Sequence, residues 1–341
     1  MNRSIIKTGI PVIMIIIIFM ISGCVQQSKS PEQYSIVFYN VENLFDTIDN
    51  PEKNDERYLP GSDLDWNTEK YMHKLNQLGK VLTSIHENSL PSIIGLSEVE
   101  NRLVLEDLIE LTDLKKGNYQ IIHQEGPDER GIDMALLYRE SMFKPIDIQF
   151  IPINYPFNPE EKTRNILYVR GEIMDELIHL YINHWTSRWG GHLETNPHRA
   201  YTAEFLRSHI DAVLDTDPEA NIIAMGDLND NPTDTSVYMI LQAFPLTMDI
   251  YDNELYNLTL EKYEKGVGTL YWKDWDMFDQ IIVNGNFLKR INLEENELVY
   301  KREWMLYERQ DGIKVPSRTA SKSYYGGFSD HLPVYLVVRA K

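Results

Sequence analysis

The chain has 341 residues, with 52 Asp or Glu against 33 Lys or Arg and a formal net charge of −19. Hydrophobic residues make up 43% and charged residues 25%, which excludes a disordered chain, a collagen-like fibre and a multi-span membrane protein. The acidic balance also argues against a tight, sequence-independent DNA binder, whose footprint is globally basic.

At the N-terminus, Arg3 and Lys7 precede an apolar run over residues 10–21. A permanent membrane helix needs about 20 apolar residues. The shorter run, with its charged start and the small residues behind it, predicts a secretory signal over residues 1–23. Ser22 and Gly23 stand before Cys24, the one cysteine in the chain, in the manner of a bacterial lipobox. That resemblance implies cleavage before Cys24, lipid on Cys24, and an exported protein held at a membrane of the cell envelope. Residues 24–33 are short, polar and aperiodic, and read as a tether. With Cys24 lipidated no disulfide is available, so the domain over residues 34–341 must be stable through its core, which its size permits.

Residues 34–41 are apolar on both faces, as a buried inner strand requires. Between residues 69 and 88, Tyr71, Leu75, Leu78, Leu82 and Ile85 recur at three- and four-residue steps and predict an amphipathic helix. A buried strand is expected over 92–97, a short helix over 103–111, and strands over 119–123, 133–139, 146–153, 164–173 and 177–183. Pro197 opens a second long helix with Ala203, Leu206, Ile210 and Val213 on one face. Short strands follow at 221–226 and 279–284, and a last one at 332–338. Strands outnumber long helices and come partly in hairpin succession. This predicts one α/β (α+β) domain with two packed mixed β-sheets flanked by helices.

Polar residues stand where the predicted strands end or begin, positions from which a rigid scaffold presents side chains to a shared site. Asn40, Glu98 and His184 close their strands. Asp227 and Asn229 follow the strand at 221–226, Asp279 begins the next, and Asp330 and His331 precede the last. Each alone is a common cap or turn residue; together they point to one site.

The segments YNVENLFD (39–46), LSEVEN (96–101), GIDMALLYR (131–139), INHWTSRWGG (182–191), MGDLND (225–230), FDQIIV (278–283) and FSDHLPV (328–334) carry a resemblance. Taken in order they resemble the endonuclease/exonuclease/phosphatase superfamily, whose members include pancreatic-type deoxyribonucleases, abasic-site endonucleases, inositol polyphosphate 5-phosphatases and neutral sphingomyelinases. The wording is similar to a bacterial, often exported branch. The resemblance implies a deoxyribonuclease I-like four-layer sandwich and a magnesium- or manganese-dependent hydrolase of phosphodiesters.

It further implies that Asn40, Glu42, Glu98 and Asp330 hold the metal, with Glu98 principal. Alternation along a strand is expected to put Glu42 on the same face as Asn40. Asp227, Asn229, His184, Asp279 and His331 would act on water and phosphate, with Asp279 orienting His331. Either Asp227 or His331 is then the base. Cleavage of a phosphodiester needs such groups to neutralise charge and to deliver an in-line nucleophile.

Arg188 and Arg199, with His192 and His198 nearby, are candidates to clamp phosphate oxygens. The positive segment 301–322 is a candidate lip over the site, or a solvated loop. Tyr271, Trp272 and Trp275 stack a base or pack the core. Nucleic acid is the leading substrate class and a monomer the expected state. Phospholipid, sphingolipid or inositol-phosphate hydrolysis on the same fold is the alternative, and a non-catalytic binding lipoprotein the other.

Overall fold

The computed structural model describes residue 1 and residues 33–86, 89–246, 249–293 and 298–340. The signal segment, Cys24 and all of the tether but Gln33 lie outside the described residues. The described strands and helices all belong to the compact unit Pro31–Lys341.

The first part of the chain forms β1 (Gln33–Leu44), α1 (Thr68–Ser84), β2 (Ile93–Val99), α2 (Arg102–Glu110), β3 (Tyr119–His123) and β4 (Asp133–Arg139). Next come β5 (Phe143–Ile151), β6 (Ile166–Ile173), β7 (Glu176–His184), α3 (His192–Thr216) and β8 (Asn221–Asp227). Short elements follow: β9 (Ala243–Pro245), β10 (Leu255–Asn257), α4 (Leu260–Glu264), β11 (Leu270–Tyr271) and β12 (Trp275–Asp276). The chain ends with β13 (Asp279–Asn284), α5 (Gly285–Arg290), β14 (Ile291–Leu293), β15 (Leu306–Glu308), β16 (Lys314–Pro316) and β17 (Val334–Ala340).

Two mixed sheets organise these strands, a six-stranded one in the order β14-β17-β1-β2-β4-β3 and a seven-stranded one in the order β5-β6-β7-β8-β13-β10-β9. Side chains alternate between sheet faces, and the burial follows that alternation. Leu180, Ile182, Ile223, Met225, Ile281 and Val283 of the larger sheet share one core with β1, β2, β4 and β17. The intervening Tyr181, Ile222, Ala224 and Ile282 belong to a second core with Ala203, Leu206 and Ile210 of α3. On the other side, Leu75, Leu78, Val81 and Leu82 of α1 and Leu105 and Leu108 of α2 join the first core. The result is helix, sheet, sheet, helix, the four-layer sandwich expected.

The centre of each sheet is a parallel pair, β1 with β2 and β7 with β8. Antiparallel neighbours flank them, β17 beside β1 and β13 beside β8. The central strands therefore end on the edge where β13 and β17 begin, which is where the strand-end polar residues lie.

Three helix starts are set by asparagine caps: Asn67 Oδ1 accepts the Lys70 N–H at 3.2 Å, Asn101 Oδ1 the Val104 N–H at 3.0 Å and Asn284 Oδ1 the Phe287 N–H at 3.2 Å. Such a cap is worth about 1 kcal/mol. The start of α3 differs from expectation. The helix begins at His192, after Gly191 at φ 126, and Pro197 lies inside it. Thr195 sends its N–H and its hydroxyl to the Gly191 carbonyl, at 3.1 and 2.8 Å, extending the helix ahead of the proline. No helix among the described residues is long and apolar enough to cross a membrane.

Candidate active site

The backbone at the shared edge departs from regular strand. Glu42 and Asn43 have φ of 50 and 56, Glu98 has 63, and Asn229 has 50. Non-glycine residues in the left-handed region are held there by their surroundings and concentrate at functional sites. Gly226, at φ 154, precedes Asp227, and a Cβ there would lie 2.1 Å from the Asn183 carbonyl oxygen. Only glycine lets β8 pass β7 this closely, and the pairing sets His184 opposite Asp227 and Asp227 opposite Asp279.

Asp227 Oδ2 is the hub. It accepts the Asn40 Nδ2 hydrogen bond at 3.0 Å and faces His184 Nε2 at 3.7 Å and His331 Nε2 at 3.8 Å. Its other oxygen accepts the Asn229 N–H at 2.9 Å. Asn40 Nδ2 also donates to Glu98 Oε1 at 3.2 Å, an oxygen 3.9 Å from His184 Nε2. Glu98 Oε2 accepts the Asn43 N–H at 2.9 Å. Asp279 Oδ2 lies 2.7 Å from His331 Nδ1, and both side chains are buried. Ser329 ties the two ends of the chain together: its hydroxyl donates to the Asn40 carbonyl at 2.8 Å and accepts the His331 N–H at 3.0 Å.

Electrostatics separates the two imidazoles. Burial, reinforced by Arg164, Arg130 and His331, holds His184 well below the ordinary histidine range, so it is neutral. Burial acts on His331 in the same sense, but the carboxylates of Asp279 and Asp227 override it and raise its pKa. Asp227 is pushed up by burial, opposed by His331 and assisted by Asp279. A neutral imidazole and a cationic one thus flank one oxygen of a buried carboxylate, at 3.7 and 3.8 Å. Perturbed, mutually coupled groups of this kind mark acid–base sites.

The structure brings together Asn40, Glu98, His184, Asp227, Asn229, Asp279, Asp330 and His331. Asn40 presents its NH2 group to the two carboxylates, while its carbonyl oxygen accepts the Glu42 N–H at 2.9 Å. Asn40 thus links Glu98 and Asp227. Asn229 donates its side-chain N–H to the Trp185 carbonyl at 3.0 Å, joining the loops after β7 and β8.

Glu42 departs from the alternation argument, because its positive φ turns the side chain out of strand geometry. Both of its oxygens are engaged by the segment beyond β16, Oε2 by the Thr319 N–H at 2.6 Å and Oε1 by Arg318 Nε at 3.1 Å. Asp330 Oδ2 accepts Arg318 Nη2 at 2.8 Å, and its Oδ1 lies 4.0 Å from His331 Nε2.

The candidate phosphate clamps are corrected by their partners. Arg199 is fully buried, in a 2.8 Å ion pair with Asp230, and its Nη atoms donate to Thr195 Oγ1 and to the Thr186 and His192 carbonyls. Arg188 donates to the Asn229 carbonyl at 2.8 Å, pairs with Asp230 and Asp234, and lies over the Phe278 ring. These guanidinium groups brace the loop that follows Asp227. His198 bonds Glu161 at 2.8 Å, away from the hub, and His192 lies 3.4 Å from Asp230. Tyr271 and Trp275 are half-buried against each other, whereas Trp272 is exposed at the hairpin tip.

Sequence reasoning did not single out Lys74, Ser329 or Arg318 individually. Lys74 carried a signal, a cation inside the apolar stripe of α1. Ser329 and Arg318 show their roles only through partners distant in sequence.

Carboxylate and amide oxygens without thiols suit magnesium or manganese, which take one or two carboxylates and complete their shell with water and substrate phosphate. The partly exposed Glu98 carboxylate, with an oxygen turned toward His184, fits that chemistry.

Residues 35–340 match the model of the Endonuclease/Exonuclease/phosphatase family. Solved structures with a similar fold include an endonuclease/exonuclease/phosphatase family protein from Bacteroides thetaiotaomicron, at 14% identity and TM-score 0.55, covering 92% of this chain and 99% of that one. The human nocturnin catalytic domain with bound sulfate aligns at 16% identity and TM-score 0.55, covering 91% and 95%. TDP2 from D. rerio, complexed with a single-strand DNA product, aligns at 16% identity and TM-score 0.52, covering 91% and 100%. No curated protein matches by sequence.

Proposed function

The chain belongs to the endonuclease/exonuclease/phosphatase family, a family of metal-dependent phosphoesterases and nucleases, and from that premise we propose that it hydrolyses phosphodiester bonds with magnesium or manganese, acting on nucleic acid. The observation that carries this reading is the convergence of Asn40, His184 and His331 on one oxygen of Asp227, with Glu98 alongside. That a neighbour of the same fold is complexed with a single-strand DNA product supports the substrate class.

Glu98 holds the metal, which when bound neutralises charge on the phosphoryl oxygens. Asp227 and His331 position water and phosphate and move the proton, with Asp279 fixing the His331 ring through Nδ1. Neutral His184 donates a hydrogen bond to the phosphate. Asn40 keeps Glu98 and Asp227 at their spacing.

The test is a hydrolysis screen of detergent-solubilised protein against plasmid DNA, single strands, RNA, phospholipids and sugar phosphates. Activity on a nucleic acid, abolished by EDTA and restored by magnesium or manganese, is the expected outcome. Hydrolysis of phospholipids or sugar phosphates alone would overturn the substrate class, and EDTA-resistant hydrolysis would overturn the metal dependence. We propose further that lipid on Cys24 anchors the protein at the cell envelope. Intact-mass analysis of native membranes would show a chain beginning at a lipidated Cys24; an unmodified Met1 start would refute this.

A further inference from the structure

The segment from Ser317 to His331 folds back on itself beside the site. Phe328 N–H donates to the Ser317 carbonyl at 2.5 Å, and Gly327 N–H to the Arg318 carbonyl at 3.1 Å. Tyr325 and Gly326 both donate to the Thr319 carbonyl, at 2.8 and 3.1 Å. The two arms approach so closely that a Cβ on Gly327 would lie 2.1 Å from the Ser317 oxygen and 2.4 Å from the Arg318 oxygen. Lys74 pins both arms from α1: its buried ammonium donates to Thr319 Oγ1 at 2.5 Å and to the Phe328 carbonyl at 2.8 Å. Arg318 is therefore carried on a braced backbone.

Its guanidinium spans two carboxylates. Nε donates to Glu42 Oε1 at 3.1 Å and to the Ala320 carbonyl at 2.9 Å, and Nη2 donates to Asp330 Oδ2 at 2.8 Å. Glu42 and Asp330 are the carboxylates, besides Glu98, that the family resemblance offers as metal ligands. A magnesium ion takes its oxygens at about 2.0–2.1 Å in near-octahedral geometry. Glu42 Oε1 and Asp330 Oδ2 each face that planar, permanently charged guanidinium, so a second cation bound to this pair would meet its repulsion at short range.

We propose that Arg318 is a built-in cation standing in for a second metal ion: the site takes one divalent ion, at Glu98, and Arg318 excludes another from Glu42 and Asp330. This rests on the metal-dependent reading of the site given above. The permanent charge of Arg318 meets the repulsion between Glu42 and Asp330, which in its absence would form an open acidic pair facing the site.

The test is manganese binding to detergent-solubilised full-length protein, by calorimetry and by the paramagnetic resonance signal of free and bound ion. Wild type is expected to bind one manganese per chain. Arg318→Ala should bind two, with the bound-ion signal broadened by coupling, and Arg318→Ala combined with Glu42→Gln should return to one. One ion in both wild type and Arg318→Ala would overturn the role of Arg318 while leaving the metal-dependent reading intact. Two ions in the double variant would overturn it as well, by placing the second ion away from Glu42. No ion in wild type would overturn the metal-dependent reading and this proposal with it. If Arg318→Ala does not fold, Arg318→Gln serves the same comparison, and two ions in wild type refute the proposal without any variant.

Discussion

Arg199→Met keeps the reach of the side chain and its helix propensity and removes the charge, so it separates a buried brace from a phosphate clamp. In the structure Asp230 is fully buried and would lose the Arg199 ion pair at 2.8 Å. Removing one partner of a buried pair costs about 3–5 kcal/mol, because a charge is left behind. Asp230 would still hold Arg188 Nη2 at 2.9 Å and the Ser236 hydroxyl at 2.6 Å. The lower end, about 3 kcal/mol, is therefore expected. At about 2 °C per kcal/mol for a large domain this lowers the melting temperature by about 6 °C. Calorimetric melting, paired with KM measured far below the transition, gives the two readouts. The structure requires a lower Tm with KM little changed; an unchanged Tm with a large rise in KM would refute the brace and restore the clamp.

Glu98→Gln removes a formal charge at nearly constant shape, so apparent magnesium affinity should fall while turnover recovers as metal is raised; full wild-type turnover at limiting magnesium would show that Glu98 holds no metal. Asp279→Asn breaks the charged partnership with His331 Nδ1 and should cut kcat by about 10²–10⁴-fold with KM little moved, which initial-rate kinetics reads directly. His179 is brought down to about 4 from 6.5 by burial, with Arg170 adding to it. Its folded pKa lies below its unfolded one, so the stability it contributes is present above pH 6.5 and is lost as pH falls toward 4. His179→Gln should therefore lose less stability than wild type between about pH 7 and about pH 5 in urea unfolding, and equal losses would contradict the shift.

Regular elements were legible where period and ending agreed. The limits expected for residues 119–123, 133–139 and 279–284 coincide with β3, β4 and β13, because apolar runs there stop at polar residues that also end the pairing. Glu42 leaves the strand geometry that alternation presumes, and a positive φ in a non-glycine residue leaves no mark in the sequence. Arg188 and Arg199 advertised charge but not its destination, since Asp230 sits inside a motif whose neighbours drew the attention. Lys74 was visible as an oddity in an apolar stripe, yet its partners lie 245 and 254 residues away. Residues at strand ends converge because topology puts them there; residues on irregular loops converge only through contacts that no local pattern encodes.

The first strand lies inside its sheet, between β2 and the last strand of the chain. Gln33 to Phe38 pair with Arg339 to Val334, and Ser329, just ahead of that strand, bonds the Asn40 carbonyl. β1 therefore has one flank open until the distant β17 segment is in place. A cut between Ser329 and β17 removes that pairing and leaves an unsealed sheet edge, prone to pair with other chains.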